Sequence, residues 1–504
     1  MEGIFSDRIP LPPPHMDEDE RRRRGSGGED LISGLPDDVL HDILVRLGCA
    51  RAAARTSVLS RRWRPVWKHM PELLLVSPSP PPGPAPASFL DAVDGALAGC
   101  LAPALDRLAI SLSADSDLRA PARRVAPWLR FAAERVAGKI CLIVPPPLAL
   151  SLPPRPRAPL EEAELELPAC GGAKAIALKP QTTWRLRPPP SGLFAALTAL
   201  KINGGRMEGG ELSTLVCAQC PRLIDLNLSI HLVAVADVSI RSDSLHSLRF
   251  QANNTRRLEV VAPRLEVLTL TESIQAHVSA PKLAKLVWLG GAYDPRNHRF
   301  LDVSRRLKLL DIGLNSPAPS LMRQFDEVSV LRIETFILQG AAGYQRFLNE
   351  TKIPPKCKVL GLSLFVNRHG LTPVILHLLR SCNGTRKFSL TLFDLKDSWT
   401  HPCPSSCPCC SEESHRIDNI DLESLDEIEI NSYKVSHKDL EFLEMLSRCN
   451  AKFLKKLVIN YKMSITPPET KEVCEKVRSM YRSEVEVEFY LFPDGPDGRR
   501  VRFD

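Results

Sequence analysis

From Val39 onward the apolar residues fall on a helical period. Val39, Leu40, Ile43, Leu44 and Leu47 occupy positions i, i+1, i+4, i+5 and i+8, one stripe of a 3.6-residue helix. Pro36 stands where a first helical turn tolerates proline, and Asp37 and Asp38 bring the charge a helix N-terminus favours. Gly48 predicts the stop. Ala50–Thr56 reads as a second short helix and Ser60–His69 as a third, with Ser60 its candidate N-cap. Further along, the period changes. The template L-x-x-L-x-L appears at Leu105–Leu108–Ile110, Leu197–Leu200–Ile202, Leu223–Leu226–Leu228 and Leu245–Leu248–Phe250. It returns at Leu265–Leu268–Leu270, Leu283–Leu286–Trp288, Leu307–Leu310–Ile312 and Val328–Leu331–Ile333.

From the second occurrence on, the spacing runs from 18 to 26 residues, which brackets the range of leucine-rich repeats. Each unit reads as one short strand whose alternate leucines point inward, followed by a return segment. The phrases Ala262-Pro-Arg-Leu265 and Ala280-Pro-Lys-Leu283 recur just before strands, which argues against chance. The competing description, unrelated strands of an α/β domain, stays open because the spacing varies. Units are least regular between Ser111 and Ser191, where Ile140–Val144 and Glu164–Leu167 look like strands, and later units lengthen around Leu360, Leu390, Ile428 and Leu457. The predicted fold class is α/β: a small three-helix module followed by a leucine-rich-repeat solenoid with irregular repeats.

Composition adds punctuation. A chain of 504 residues suggests two or three domains. Its 44 prolines cluster in Ser77–Pro86, Pro145–Pro159 and Pro188–Pro190, segments that interrupt rather than fold. The expected organisation is a disordered tail at 1–29, the helical module at 30–70, a Pro-rich linker at 71–94 and the repeat array at 95–395. A Cys-rich loop at 396–418, terminal repeats at 419–492 and a tail at 493–504 complete it.

The net charge of +7 is modest and dispersed. Arg21–Arg24 is the densest basic run, beside the acidic Asp17–Glu20, and reads as a solvated tail. No broad basic patch carries interleaved aromatics, so no nucleic-acid partner is expected. The N-terminus holds prolines and acids where a signal peptide needs an apolar run. Ile140–Leu152 is broken by Pro145–Pro147 and too short to cross a bilayer, so no membrane partner is expected. Fourteen cysteines, mostly scattered, suit a reducing compartment. The expected location is cytoplasm, nucleus or both.

The stretch Asp30–Leu44, reading DLISGLPDDVLHDIL, closely resembles the opening of the plant F-box motif, and Thr56–Trp67, reading TSVLSRRWRPVW, resembles its second half. Together they span the motif without a gap. The resemblance implies a three-helix module that docks on a Skp-type adaptor, which in turn hangs on a cullin carrying the ubiquitin-charged enzyme. The residues agree independently: some forty positions this rich in Leu, Val and Trp cannot bury them all in their own core, and leftover apolar surface is what a docking face looks like. By matching motif positions, Leu35, Pro36, Leu40, Ile43, Leu44, Val58, Leu59, Trp63 and Trp67 are expected to form or support that face. Downstream, the repeats resemble those of plant F-box proteins with leucine-rich repeats, grass members in particular. Leu422–Tyr461 resembles the FBD domain that often ends such chains, departing from it where Asn431–Tyr433 and Ser436 replace the usual Gly-Phe pair and following Gly.

Target recognition is expected on the residues between the inward leucines, which should face the concave side of the sheet. The candidates are Asp225, Asn227, Ser247, Arg249, Thr269, Lys285, Asp311 and Arg332, with Lys201, Val267, Val287, Leu309 and Val330 beside them. One metal-like cluster stands out: His401, Cys403, Cys407, Cys409 and Cys410 offer enough ligands for a tetrahedral zinc. The C-x3-C-x-C-C spacing does not match paired CxxC knuckles, and the stretch is expected to be a reduced surface loop without metal. No P-loop, H-E-x-x-H or nucleophile elbow is present in the sequence, so neither cofactor nor catalysis is expected. The sequence thus points to the substrate-recognition subunit of a Skp-cullin-F-box ubiquitin ligase binding an unknown protein target. The alternatives are a scaffold that pairs with the adaptor without directing ubiquitin transfer, and a metal-dependent protein centred on Cys403–Cys410.

Overall fold

The computed structural model describes residues 34–77, 89–113, 120–145, 163–271, 275–289, 291, 293–313, 319–337, 340–351, 356–366, 371–381, 384–392, 405–416, 422–432, 437–449, 453–462, 467–492 and 501–503. They fall into two units, the first ending at Met70 and the second beginning at Pro71. The tail expected at 1–29 lies outside the described residues.

In the first unit, helix α1 spans Asp37–Arg46, with Asp37 and Asp38 in its first turn and Arg46 in its last, the arrangement that suits the helix dipole. Gly48 follows at φ 73°, the left-handed conformation that closes a helix cheaply only with glycine. Helix α2 spans Ala50–Arg55, and the Cys49 sulfur accepts the Ala52 N–H at 3.3 Å. The third helix, α3, is shorter than the sequence predicts. It covers only Trp63–Val66, and a 3-10 turn continues it through Trp67–His69. Ser60 does not cap it, because the preceding residue Arg62 is already helical in backbone and makes no capping bond. Leu40, Leu44, Ala53, Trp63, Val66 and Met70 form the core, with Leu35 and Trp67 at its edge. Arg62 clasps Asp37 at 2.6 Å and holds the two ends of the module together.

The second unit is a parallel repeat array. Its front ladder begins with β1 (Glu72–Val76), β2 (Leu105–Ser111), β3 (Val136–Ile143), β5 (Ala175–Lys179) and β7 (Ala199–Met207). It continues through β8 (Asp225–Arg241), β9 (Ser247–Val261), β10 (Val267–Leu270), β12 (Lys285–Trp288) and β14 (Arg306–Ile312). The last members are β15 (Glu327–Ile337), β16 (Lys356–Val366), β17 (Lys387–Leu392), β18 (Glu427–Ser432), β19 (Lys456–Lys462) and β20 (Glu486–Phe492). Register fixes the repeat: Leu200, Leu226, Leu248, Leu268, Leu286, Leu310, Leu331 and Leu360 lie directly across from one another, all buried at 5% exposure or less. A one-residue slip would turn this whole row to solvent, so the leucine spacing pins the strands. Leu73, Leu108, Ile140 and Ile176 extend the same row upstream.

Two expectations are corrected by the strand pairing, and a third is completed. The stretch expected to be linker contains β1, which pairs with β2 over its full length. Its alternating Leu73 and Leu75 are buried, a pattern the neighbouring prolines hide. Between Ser111 and Ser191 the strands expected at Ile140–Val144 and Glu164–Leu167 are present, the first as β3 and the second as Glu164–Glu166, and β5 joins β3 in the ladder. In the expected C-terminal tail, β21 (Val501–Phe503) pairs antiparallel with β20, and Arg502 reaches Glu488.

The return segments are of two kinds. At the N-terminal end they include helices α4 (Phe89–Ala98) and α5 (Ala122–Arg135), and between β7 and β8 the short α6 (Gly209–Thr214). After β14 they are helices again: α7 (Pro319–Met322), α8 (Gly340–Glu350), α9 (Leu371–Ser381), α10 (Glu412–His415), α11 (His437–Arg448) and α12 (Pro467–Met480). In the middle, strands serve instead. β4 (Glu164–Glu166), β6 (Arg185–Arg187), the distal halves of β7, β8 and β9, β11 (Gln275–Ser279) and β13 (His298–Leu301) form a second parallel ladder. The chain turns from one ladder to the other at Gly204 and Gly205 in β7, with φ of 110° and 80°, and at Asn254 in β9, φ 66°. A Cβ on Gly204 would lie 2.5 Å from the Pro180 carbonyl oxygen. The recurring Ala-Pro-Arg/Lys-Leu phrases are the turns back to the front, closed by Leu265 N–H to Ala262 and Leu283 N–H to Ala280, each 3.1 Å. Trp288, Tyr293 and His298 pack where the second ladder ends, with ring centroids 4.8 to 5.6 Å apart.

Candidate protein-interaction surfaces

The nine residues expected at the docking face divide into two groups. Leu40, Leu44 and Trp63 are buried at 0%, 1% and 6% exposure, so they build the module from within. Leu35 and Trp67 pack at the rim of that core, and Pro36 is exposed. Ile43, Val58 and Leu59 are open to solvent, Val58 at 87% and Leu59 at 64%. Two further apolar residues of the module that the motif comparison did not single out are open to solvent: Val39 and Leu47, 40% and 43% exposed. The signal for them was in the helical stripe. The five-residue stripe of α1 and its C-cap Leu47 buries only Leu40 and Leu44, which leaves Val39, Ile43 and Leu47 spaced four apart along an open face.

On the second unit, each expected recognition residue stands in a row across the front ladder. Asp225, Ser247, Val267, Lys285, Leu309 and Val330 form one row; Asn227, Arg249, Thr269, Val287, Asp311 and Arg332 form the next. All are half-buried or exposed except Thr269, at 8%. The rows run on beyond the sequence-based candidates, through Val359, Lys387, Glu427 and Lys456, and through Gly361, Ser389, Glu429 and Val458. β16 and β17 lack a complete L-x-x-L-x-L template, whereas Leu425–Ile428–Ile430 and Leu454–Leu457–Ile459 carry it at β18 and β19, so the outward residues of these last two followed from the same pattern and were missed.

Electrostatics vary along this face. Lys387 lies 2.9 Å from both Glu427 and Glu429. Asn460 donates to Glu429 at 3.2 Å and to Asn431 at 2.8 Å, and Lys456 meets Glu488 at 2.7 Å. Burial raises the Asp311 carboxyl above the usual range, against the pull of Arg332 at 3.9 Å. Glu334 is raised as well, by burial and then by the charge of Asp311. Cys141, set among Lys139, Arg107 and Lys201, is raised by burial despite those cations, so its thiol is not activated.

The cysteine cluster differs from the surface loop expected. His401 and Cys403 lie outside the described residues. Cys407 and Cys409 are buried at 1% and 2% exposure, with sulfurs 3.3 Å apart, and Cys410 is exposed. The 3-10 turn Pro408–Cys410 carries them against α8 and α9, so they act as small apolar residues. The His415 ring meets the Cys409 carbonyl oxygen at 3.1 Å, and no metal-binding group occurs among the described residues. None of the described helices is long and apolar enough to cross a membrane.

Comparison with known proteins agrees with this geometry. Residues 32–74 match the F-box domain family, and residues 125–304 match the repeats of the family described as FBD-associated F-box protein At5g56370, LRR repeats. The second match begins in α5 and ends just past β13, so it covers the strand-returned part of the array. Among curated relatives, the F-box protein At5g03100 of Arabidopsis thaliana is 32% identical over 120 residues, 24% of this chain and 35% of that protein. The meiotic F-box protein MOF of Oryza sativa subsp. japonica is 35% identical over 133 residues, 25% of this chain and 28% of its own length. F-box/LRR-repeat protein 13 of Arabidopsis is 49% identical over 61 residues, 12% of this chain and 13% of that protein. The chain thus spans about a third or less of the length of the relatives it matches. It carries an F-box joined to leucine-rich repeats of the plant FBD-associated type.

Proposed function

We propose that this protein is the substrate-recognition subunit of a Skp-cullin-F-box ubiquitin ligase. One observation carries the reading: the first unit has its own core, yet leaves Val39, Ile43, Leu47, Val58 and Leu59 exposed. Scattered apolar residues on a surface mean little, but five on a module this small make a patch of the kind that partner proteins cover. The occupant is a Skp-type adaptor and, through it, a cullin. The front face of the repeat array then holds a protein target. The chain performs no chemistry itself. Its contribution is proximity, raising the effective concentration of target beside the charged enzyme. This work belongs in the cytosol or nucleus, where the ligase components and reduced thiols coexist.

Reconstitution with adaptor, cullin and charged ubiquitin-conjugating enzyme tests the reading. Ubiquitin transfer to the chain or to a bound target is expected, and it should disappear with Val58→Asp and Leu59→Asp. Stable adaptor binding without any transfer would favour the scaffold instead.

A further inference from the structure

The front ladder sorts its charge along the array. Over β1 to β12, the forward-pointing cations are Arg107, Lys139, Lys179, Lys201, Arg249 and Lys285, against Glu72 and Asp225. From β14 on the sign reverses: Asp311, Glu334, Glu427, Glu429, Glu486 and Glu488 stand against Arg332, Lys387, Lys456 and the Arg502 of β21. At the crossing lie Val267, Val287, Leu309, Val330 and Val359, all half-buried on the same face. Just beyond them Gly361 contributes no side chain, and a depression of about 480 Å3 opens between Arg332, Glu334, Lys387 and Ser389. A Cβ at Gly361 would lie 3.2 Å from the Arg332 side chain. Glu334, at the margin of the depression, makes no ion pair with a described residue.

We propose that this face docks a target segment of segregated charge, with its acidic part over β2–β9 and its basic part over β14–β18. The proposal deepens the target-binding role assigned above and rests on it. An apolar strip flanked by opposite fields suits an apolar anchor with charged ends, where complementarity sets orientation as well as attraction. A lysine or arginine entering the Gly361 depression would lay its aliphatic stem on Val330 and Val359 and bring its head to Glu334. Length follows from the ladder. From β2 to β18 there are twelve strand-to-strand steps, roughly 58 Å at the usual strand spacing. An extended segment of about 17 residues covers that distance.

Two fluorescent peptides of identical composition and about 17 residues test it, one with a Glu-rich half and a Lys-rich half, the other with Glu and Lys alternating. Anisotropy titrations use the full chain at low salt, where such contacts are least screened. The segregated peptide is expected to bind at least about tenfold more tightly than the alternating one, a margin of about 1.4 kcal/mol. Gly361→Trp, Glu334→Lys and the pair Lys201→Glu with Arg249→Glu should each erase the margin while leaving adaptor binding intact. Equal affinity for the two peptides, no binding of either, or a margin that survives all three variants overturns the proposal. If Gly361→Trp fails to fold, Glu334→Lys decides alone. Loss of adaptor binding in the unaltered chain would instead count against the ligase reading, so the two failures are separable.

Discussion

His377 sits on α9 against the Phe347 ring of α8, 5.5 Å between centroids, and its Nε2 meets the Thr351 hydroxyl at 2.9 Å. That hydroxyl already gives its proton to the Phe347 carbonyl, so His377 donates and the neutral ring fits. Burial, with a smaller push from Arg380, lowers its pKa from 6.5 to about 4. The sign follows from proton binding: between these values the unfolded chain binds the proton and the folded one does not. Stability from the neutral ring is therefore complete above about pH 6.5 and drains as pH falls toward 4, by up to about 3 kcal/mol. His377→Gln should flatten this part of the profile; an unchanged acid slope in denaturant titrations would refute the assignment. Thiols offer a second check. Burial pushes Cys220 up to about 12 and Cys449 to about 11, whereas Cys217 and Cys410 are exposed. Mass spectrometry after brief alkylation at neutral pH should find the label on Cys217 and Cys410 well before Cys220 and Cys449.

Strand registers make the front ladder the framework of the second unit. Leu331 is fully buried and lies across from Leu310 and Leu360, so Leu331→Ala should cost about 3 kcal/mol through a cavity that neighbouring repeats cannot close. Gly204→Ala should also destabilise, because both its positive φ and the nearby Pro180 carbonyl oppose a side chain. Hydrogen exchange should show the loss spreading from the altered repeat to its neighbours; a purely local change would contradict the register. Much of this ladder was legible, since leucines alternating within a unit and recurring at repeat spacing bury themselves only when the units stack. Of the strands that lacked the template, β3 was expected at Ile140–Val144, whereas β1 and β5 were obscured by prolines and by the excursions around them. Of the second ladder only the strand at Glu164–Leu167 was legible. Short pieces such as Arg185–Arg187 bury one residue each, and only the glycines and asparagine at the corners show that the chain changes direction there. On the first unit, the motif identified the segment but mixed its core with its surface, because a sequence match cannot separate Leu40 from Val39.

At the scale of the whole molecule, two units divide the work in the proposed reading. The first presents a compact apolar patch, and the second a long charged face with an apolar centre. Net charge concealed this arrangement: a value of +7 dispersed over 504 residues gives no hint that cations and carboxylates are sorted along one sheet. The sorting depends on register, which places residues far apart in sequence on a common row. The central claim is that the patch on the first unit docks an adaptor, and calorimetric titration of the full chain with a Skp-type adaptor tests it most directly. The unaltered protein is expected to bind, and Val58→Asp with Leu59→Asp should weaken binding by about a hundredfold or more, some 2.7 kcal/mol, without changing the unfolding temperature. Undiminished affinity in that variant would contradict the account.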